Sequence, residues 1–212
     1  MDERSLVSAP NAVALLAGRR SIRRYRPDPV AGEIVQRLVA AAGTAPSAHN
    51  RQPWRYVAIA DAQTKARLAT AMGQRLAADR TRDGDDAAAI RADVERSFAR
   101  ITGAPVVILA CLTLAEMDAY ADPRRREAEF LMAVQSTAMA TQNLLLAAHA
   151  EGLGACWMCA PLFCPDTVRE ALALPAGWQP QGLITLGYPR EPGKARPRKA
   201  TADILLVAEV ER

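Results

Sequence analysis

Aromatic side chains are scarce in this 212-residue chain, whose three tryptophans, four tyrosines and three phenylalanines make up 5% of it. Proteins that grip single-stranded nucleic acid stack its bases on aromatic rings, and nothing here resembles a recognition helix, so nucleic acid is not an expected partner. Histidine is rarer still: His49 and His149 are the full complement, and neither has an obvious acidic partner. The H-E-x-x-H, G-x-S-x-G, G-x-x-x-x-G-K-[ST] and G-x-G-x-x-G patterns are absent, which removes the commonest zinc-peptidase, serine-hydrolase, P-loop and dinucleotide readings. No apolar run approaches the roughly 18 residues a membrane span needs. The opening MDERSLVSAP has no basic segment followed by an apolar core, unlike a secretory leader. The expectation is a cytoplasmic protein without membrane contact.

Cysteine is also limited, to Cys111 and the cluster Cys156, Cys159 and Cys164 in ACWMCAPLFC. The C-x-x-C spacing is half of a zinc or redox site, but a closed zinc site needs four ligands and no second pair is present. The neighbours Trp157, Met158, Pro161, Leu162 and Phe163 make an apolar setting in which cysteine behaves as a small hydrophobe. Buried or pocket-lining thiols are expected, and no metal.

What the chain does have is a large apolar fraction, 50%, and a nearly balanced charge of +4 from 27 basic and 23 acidic side chains. That suits one globular domain over residues 1–212. The sequence predicts a helix from an Asn11 N-cap to about Ala17, stopped by Gly18. An extended RRSIRRYRPDPV follows, kept from helix by Pro27 and Pro29. Helices are predicted over 31–42 and 61–82, a strand over 54–60, and a charge-dense, partly mobile helical excursion at about 80–100 that could serve as a lid. APVVILACLTL (104–114) reads as a central strand buried on both faces. A long Ala-rich helix from EAEFL to Gly152 is apolar on nearly every side, one of which could meet a partner subunit. A short helix at 167–174, a strand at 182–188 and a last strand in ILLVAEV complete an α+β pattern, with the long helix under a mixed sheet.

The densest chemistry lies in GRRSIRRYRPDPV, where Arg19, Arg20, Arg23 and Arg24 surround Ser21. In an extended segment alternate side chains share a side, so Arg19, Ser21 and Arg23 converge while Arg20 and Arg24 point the other way. Two guanidinium forks and a hydroxyl suit a terminal phosphate. Arg196 and Arg198 in KARPRK are redundant unless they meet the same anion or a polyanionic substrate. APSAHNRQPW adds Ser47, Asn50 and Gln52 on a proline-stiffened loop, and amides offer the donor and acceptor pairs that polyol hydroxyls and a pyrimidine-like ring edge use. Together these groups describe a flavin mononucleotide site.

RRSIRRY, APSAHNRQPW, AAHAEGLGACWM and LGYPREPGKARPRK fall in the order and spacing of the FMN-dependent nitroreductase family, which the chain resembles over nearly its whole length. The second half is similar to one branch, the C-terminal FMN reductase domain of the bifunctional coenzyme F420-0:glutamate ligase, although the chain keeps Asn50, a feature of the broader group, and lacks the ligase domain. A flavin-consuming dimethylbenzimidazole synthase is a more distant resemblance. The family resemblance implies an α+β nitroreductase-like fold: a mixed central sheet surrounded by helices in an intertwined homodimer, with FMN at the subunit interface. It implies hydride transfer from NAD(P)H to a small organic acceptor (a nitroaromatic, quinone or activated alkene) by a ping-pong cycle. A dehydro-F420 reductase-like enzyme and a non-catalytic flavin carrier are the alternatives. By the same resemblance, Arg19, Ser21 and Arg23 lie near the FMN phosphate, with Arg20 nearer the ribityl chain and ring. Ser47 and Asn50 contact the flavin, and Gln52 shapes their loop. Trp157, Met158 and Cys159 pass the isoalloxazine, while Arg196 and Arg198 close on the phosphate. No side chain is assigned acid–base catalysis, and Arg124 to Arg126 could favour an anionic acceptor.

Overall fold

The computed structural model describes residues 9–208. Its centre is the strand β2 (Val106–Leu112), in which all seven residues are buried. This continuous apolar run suits a strand covered on both faces. Alternate side chains then divide between two cores: Val106, Ile108 and Ala110 face one, and Val107, Leu109 and Cys111 face the other. β1 (Trp54–Ile59) lies on one side of β2, while β4 (Gln179–Gly187) lies on the other and carries β3 (Gly154–Met158) at the far edge, in the order β1-β2-β4-β3.

Every neighbouring pair in this sheet is antiparallel, a correction to the mixed sheet expected. The reason lies in the connections. Between β1 and β2 the chain runs out and back through two helices, α3 (Ala62–Arg82) and α4 (Ala87–Thr102), rather than through one crossover helix. Parallel pairing is present as an isolated bridge between Ser21 and Ala155. β3 itself has no counterpart in the sequence reading, which took its residues as a cysteine cluster.

Helices cover both faces. α2 (Gly32–Ala42) and α5 (Pro123–Ala150) pack over the first core, and α3 and α6 (Pro165–Leu172) border the second. α5 begins earlier than its apolar pattern suggests, because the Asp122 carboxylate accepts from Arg124 N at 3.1 Å and Pro123 takes the first turn. The arginine triplet 124–126 therefore belongs to the helix. α1 (Ala9–Gly18) also starts early, so Asn11 lies inside the helix rather than capping it, while Gly18 ends it as expected.

The charge-dense excursion is a closed hairpin of α3 and α4. Ile90 and Ile101 are buried. Arg80 bridges to Asp85 and Asp93, and Arg75 and Arg82 share Asp79. Its charges are taken up by one another, which is why polarity did not mean a loose segment. The strand predicted in ILLVAEV is not formed: residues 204–208 have no ladder, Ile204, Leu205, Leu206 and Val207 are 60–90% exposed, and the end of that motif lies outside the described residues. Within one chain the segment pairs with no strand of the sheet. Among the described residues, no helix is long and apolar enough to cross a membrane.

Candidate flavin site

RRSIRRY runs alongside the outer edge of the sheet. Ile22 N donates to Ala155 O at 3.0 Å, and the Ile22 side chain is buried. Tyr25 fixes the far end: its hydroxyl lies 2.7 Å from Thr185 Oγ1 and donates toward the Ile22 carbonyl at 2.6 Å. Burial pushes the Tyr25 phenol well above its ordinary range, so it stays protonated. Sequence reasoning passed over both residues, although a tyrosine closing an arginine-rich extended segment was the available signal. With Ile22 and Tyr25 anchored inward, the arginines are held at the surface.

The late basic segment comes to the same place. Arg26 N donates to Tyr188 O at 2.9 Å and Arg190 N to Arg24 O at 3.1 Å, so the two stretches are joined through their backbones. Gly193 completes the approach: a Cβ there would lie 2.4 Å from Arg20 Cβ and 2.7 Å from Ile22 Cδ1, so a side chain would push the loop away. The result is a cavity of about 840 Å³ lined by Arg19, Arg20, Ser21, Arg23 and Arg24 on one side and by Lys194, Arg196 and Arg198 on the other. Arg20 and Arg24 line it too, rather than facing elsewhere. The Arg20 guanidinium is occupied by the backbone, donating to Ala17 O and, at 3.1 Å, to Arg19 O, where it satisfies the C-terminal end of α1. This donor set, a hydroxyl among guanidinium groups in a pocket, fits a phosphate monoester.

The edge beyond the cavity is β3 and its following turn. The Trp157 indole lies flat across β4, where Gly182 leaves room: a Cβ at 182 would sit 2.4 Å from Trp157 Cζ2. Trp157 Nε1 donates to Cys159 Sγ at 2.9 Å, which sets the turn after the strand. Trp157 and Met158 are half-buried and Cys159 is exposed. Cys111, Cys156 and Cys164 are buried thiols, and burial raises all three, Cys111 to about 12. Such thiols are unreactive at neutral pH.

Ser47, Asn50 and Gln52 lie elsewhere. Their loop enters β1 at Trp54, which pairs with Leu112 and so stands at the opposite end of the sheet from Ala155, whose neighbour Leu186 pairs with Val106. Three strand spacings across and about six residues along place the two groups roughly 25 Å apart on the diagonal. The loop is strained: His49, Asn50 and Gln52 have φ of 49°, 55° and 49°, a region that Asn and His enter more readily than Gln. It is held by Gln52 N donating to Ser47 Oγ at 3.0 Å and by an Arg51–Asp118 ion pair at 2.5 Å. The arginine triplet of α5 starts near this corner, behind Asp118, whose N–H donates to the buried Glu129 carboxylate at 3.3 Å.

The geometry therefore brings Arg19, Ser21, Arg23, Arg196 and Arg198 around one cavity, sets Trp157, Met158 and Cys159 along the adjoining edge, and leaves Ser47, Asn50 and Gln52 at a separate corner.

Residues 16–188 match the model of the nitroreductase family. A 5,6-dimethylbenzimidazole synthase of Rhodospirillum rubrum is 32% identical over 184 residues, covering 84% of this chain and 82% of that protein. An NADH dehydrogenase of Thermus thermophilus is 34% identical over 200 residues, covering 82% of this chain and 85% of the relative. Among solved structures, a candidate nitroreductase from Desulfovibrio desulfuricans in complex with FMN superposes with a TM-score of 0.73 at 30% identity, over 94% of this chain and 98% of that one. These comparisons carry no link to the F420 branch, and the synthase expected to be the more distant resemblance stands among the similar relatives. The chain belongs to the nitroreductase family.

Proposed function

We propose that this protein is an FMN-dependent oxidoreductase that moves a hydride from NAD(P)H to a small organic acceptor. The observation that carries the reading is the meeting of the two basic segments around one cavity at the edge of β3. Arg19, Arg23 and Ser21 would hold the FMN phosphate, with Arg196 and Arg198 closing from the other side. The ring system would run along β3 toward Trp157, Met158 and Cys159. When bound, FMN would supply two-electron hydride chemistry between the nicotinamide donor and the acceptor. The protein's part is to bind, orient and exclude water. Arg20, tied to the end of α1, is a positioning residue for its arginine neighbours.

Because the Ser47–Gln52 loop is roughly 25 Å from its own chain's arginines, the reading requires a homodimer in which that loop of one protomer completes the site of its partner. Exposed Leu131 and Met139 on α5, 51% and 42% accessible, support burial of that helix against a second copy. The test is direct. The purified protein should be yellow, and the flavin band should bleach anaerobically with NADPH or NADH and return with a nitroaromatic, quinone, enone or dehydro-F420. A colourless protein that cannot be reconstituted with FMN would contradict the cofactor. A band that never bleaches would make the protein a carrier.

A second reading rests on the 32% identity to the Rhodospirillum rubrum synthase, namely that this chain forms 5,6-dimethylbenzimidazole. Chromatography of an aerobic reaction with reduced FMN decides it by the presence or absence of that product.

A further inference from the structure

The two ends of the flavin site differ sharply in charge. Seven cationic side chains line the phosphate end. Residues 153–165, which carry β3 and the turn after it, contain no Asp, Glu, Lys or Arg in a chain that is 24% charged. The arginine triplet at the start of α5 is largely engaged within its own corner. Arg125 lies 3.2 Å from Asp122 and stacks on Tyr120, and Arg126 donates to Ala121 O at 2.5 Å.

The uncharged end also displays two large apolar side chains. The 3₁₀ turn Ala160–Phe163 follows Cys159 directly, and on it Leu162 is 51% and Phe163 78% exposed. Phe163 is the most exposed of the three phenylalanines: Phe98 is 37% accessible and Phe130 is half-buried. An isolated exposed leucine needs no explanation, but an adjoining Leu–Phe pair on an ordered turn is a different case. The turn is fixed from both sides. Leu162 N donates to Cys159 O at 3.0 Å, Cys164 N to Pro161 O at 3.2 Å and Val168 N to Cys164 O at 3.1 Å. Pro161 and Cys164 are buried beneath it, and the Trp157 indole holds Cys159 at its start. Burying a side chain from a turn already ordered costs little further backbone entropy, so the pair is preorganised for a ligand. At the 3₁₀ rise of about 2 Å per residue, Phe163 lies within roughly 8 Å of Cys159 along the chain.

We infer that the Leu162–Phe163 turn seats the hydride acceptor and makes the enzyme selective for neutral, planar, apolar acceptors over anionic ones of the same size. This inference rests on the flavin reading above, which places the ring system at Trp157, Met158 and Cys159. A reacting acceptor must lie against that ring system, within reach of Phe163. A flat apolar molecule gains aromatic contact there, whereas an anion meets no cation on this stretch and loses hydration on entry. With a quinone, the overall exchange is one hydride and one solvent proton: the quinone leaves as hydroquinone and NAD(P)H as NAD(P)+.

The test uses two inhibitors of one shape, neutral 2-naphthamide and anionic 2-naphthoate, competing with 1,4-naphthoquinone for the FMN-loaded protein. The amide should inhibit about tenfold more tightly than the carboxylate. In Phe163→Ala the amide's inhibition constant and the KM for the quinone should rise about fivefold, while the carboxylate's constant changes less than twofold. Phe163→Tyr should restore the native values, because it keeps the ring face. Equal or tighter binding of the carboxylate, or constants unmoved by Phe163→Ala, would overturn the inference. So would dissociation of the native oligomer in Phe163→Ala on sedimentation, since the turn would then be covered by a second copy. Flavin absorbance and its bleaching by NAD(P)H in the native protein report separately on the flavin reading. A protein that takes up no FMN overturns both, and one that binds and bleaches FMN but fails the inhibitor comparison overturns the acceptor seat alone.

Discussion

The two corners of the sheet are built on opposite principles. At the β3 corner the backbone is relaxed: RRSIRRY is anchored by Ile22, Tyr25 and main-chain hydrogen bonds, while Arg19 and Arg23 have no acidic partner among the described residues. At the β1 corner the charge of Arg51 is matched by Asp118, while the backbone holds three left-handed residues out of four. One corner is incomplete electrostatically and gains from an anion. The other is set conformationally, with Ser47 and Arg51 fixing where short polar groups and amides point. A ligand with a charged end and a flat, hydrogen-bonding end needs both kinds of surface, and one chain holds them too far apart to offer both to the same molecule.

The largest effect should come from removing the charge. Arg19→Ala/Arg23→Ala deletes two charge-assisted contacts to the phosphate and should weaken FMN binding by about 100-fold or more, roughly 3 kcal/mol. Fluorescence titration with FMN measures this, and sedimentation should show the same oligomer as the native protein. At the other corner, Ser47→Ala removes the acceptor for Gln52 N and should cost about 1 kcal/mol of stability by urea denaturation. It should also speed hydrogen exchange at the Gln52 amide, while FMN affinity changes much less than in the arginine variant. Equal losses of FMN affinity in the two variants would erase the distinction between the corners.

The smallest effect concerns a cation with a partner of its own. Arg37 donates to both oxygens of Glu151 at 2.9 Å, at the C-terminal end of α5 that leads into β3. Hydrogen bonding by Arg37 holds the Glu151 carboxyl below the usual range. Its folded pKa is depressed, so its contribution is present above the unfolded glutamate value of about 4.3 and is lost as pH falls through the lower, folded value. Glu151→Gln should therefore lower the urea midpoint slightly at about pH 7 and by progressively less as the pH is taken below about 4.3. In contrast with Arg19 and Arg23, adding an anion such as phosphate should not compensate for the change at Arg37.

Much of this arrangement was legible in the sequence. The unbroken apolar run at 106–112 announced a strand covered on both faces, whereas alternation along RRSIRRY set Arg20 and Arg24 apart from residues whose cavity they in fact share. That KARPRK lines the same cavity follows from contacts between residues some 170 positions apart, where Gly193 lies against Arg20. No local pattern encodes such a contact. The sheet's antiparallel pairing depends on two helices standing between β1 and β2, which propensity showed but did not orient. β3 was hidden because five residues with a glycine and two half-buried side chains carry little periodicity. The distance between the amide loop and the arginines is a property of sheet order, and order is set by tertiary packing rather than by any motif.

The central claim is that one flavin site takes its arginines from one chain and its Ser47–Gln52 loop from another. Mixing two variants impaired at different corners tests it: Arg19→Ala/Arg23→Ala, and a loop variant carrying Ser47→Ala with Asn50→Ala, refolded together to form mixed dimers. If the site is shared, each mixed dimer contains one site of native composition, and both FMN binding and NAD(P)H oxidation return at one site per dimer. If each chain builds its whole site alone, no native site exists in the mixture, activity stays at the level of the separate variants, and the account is wrong.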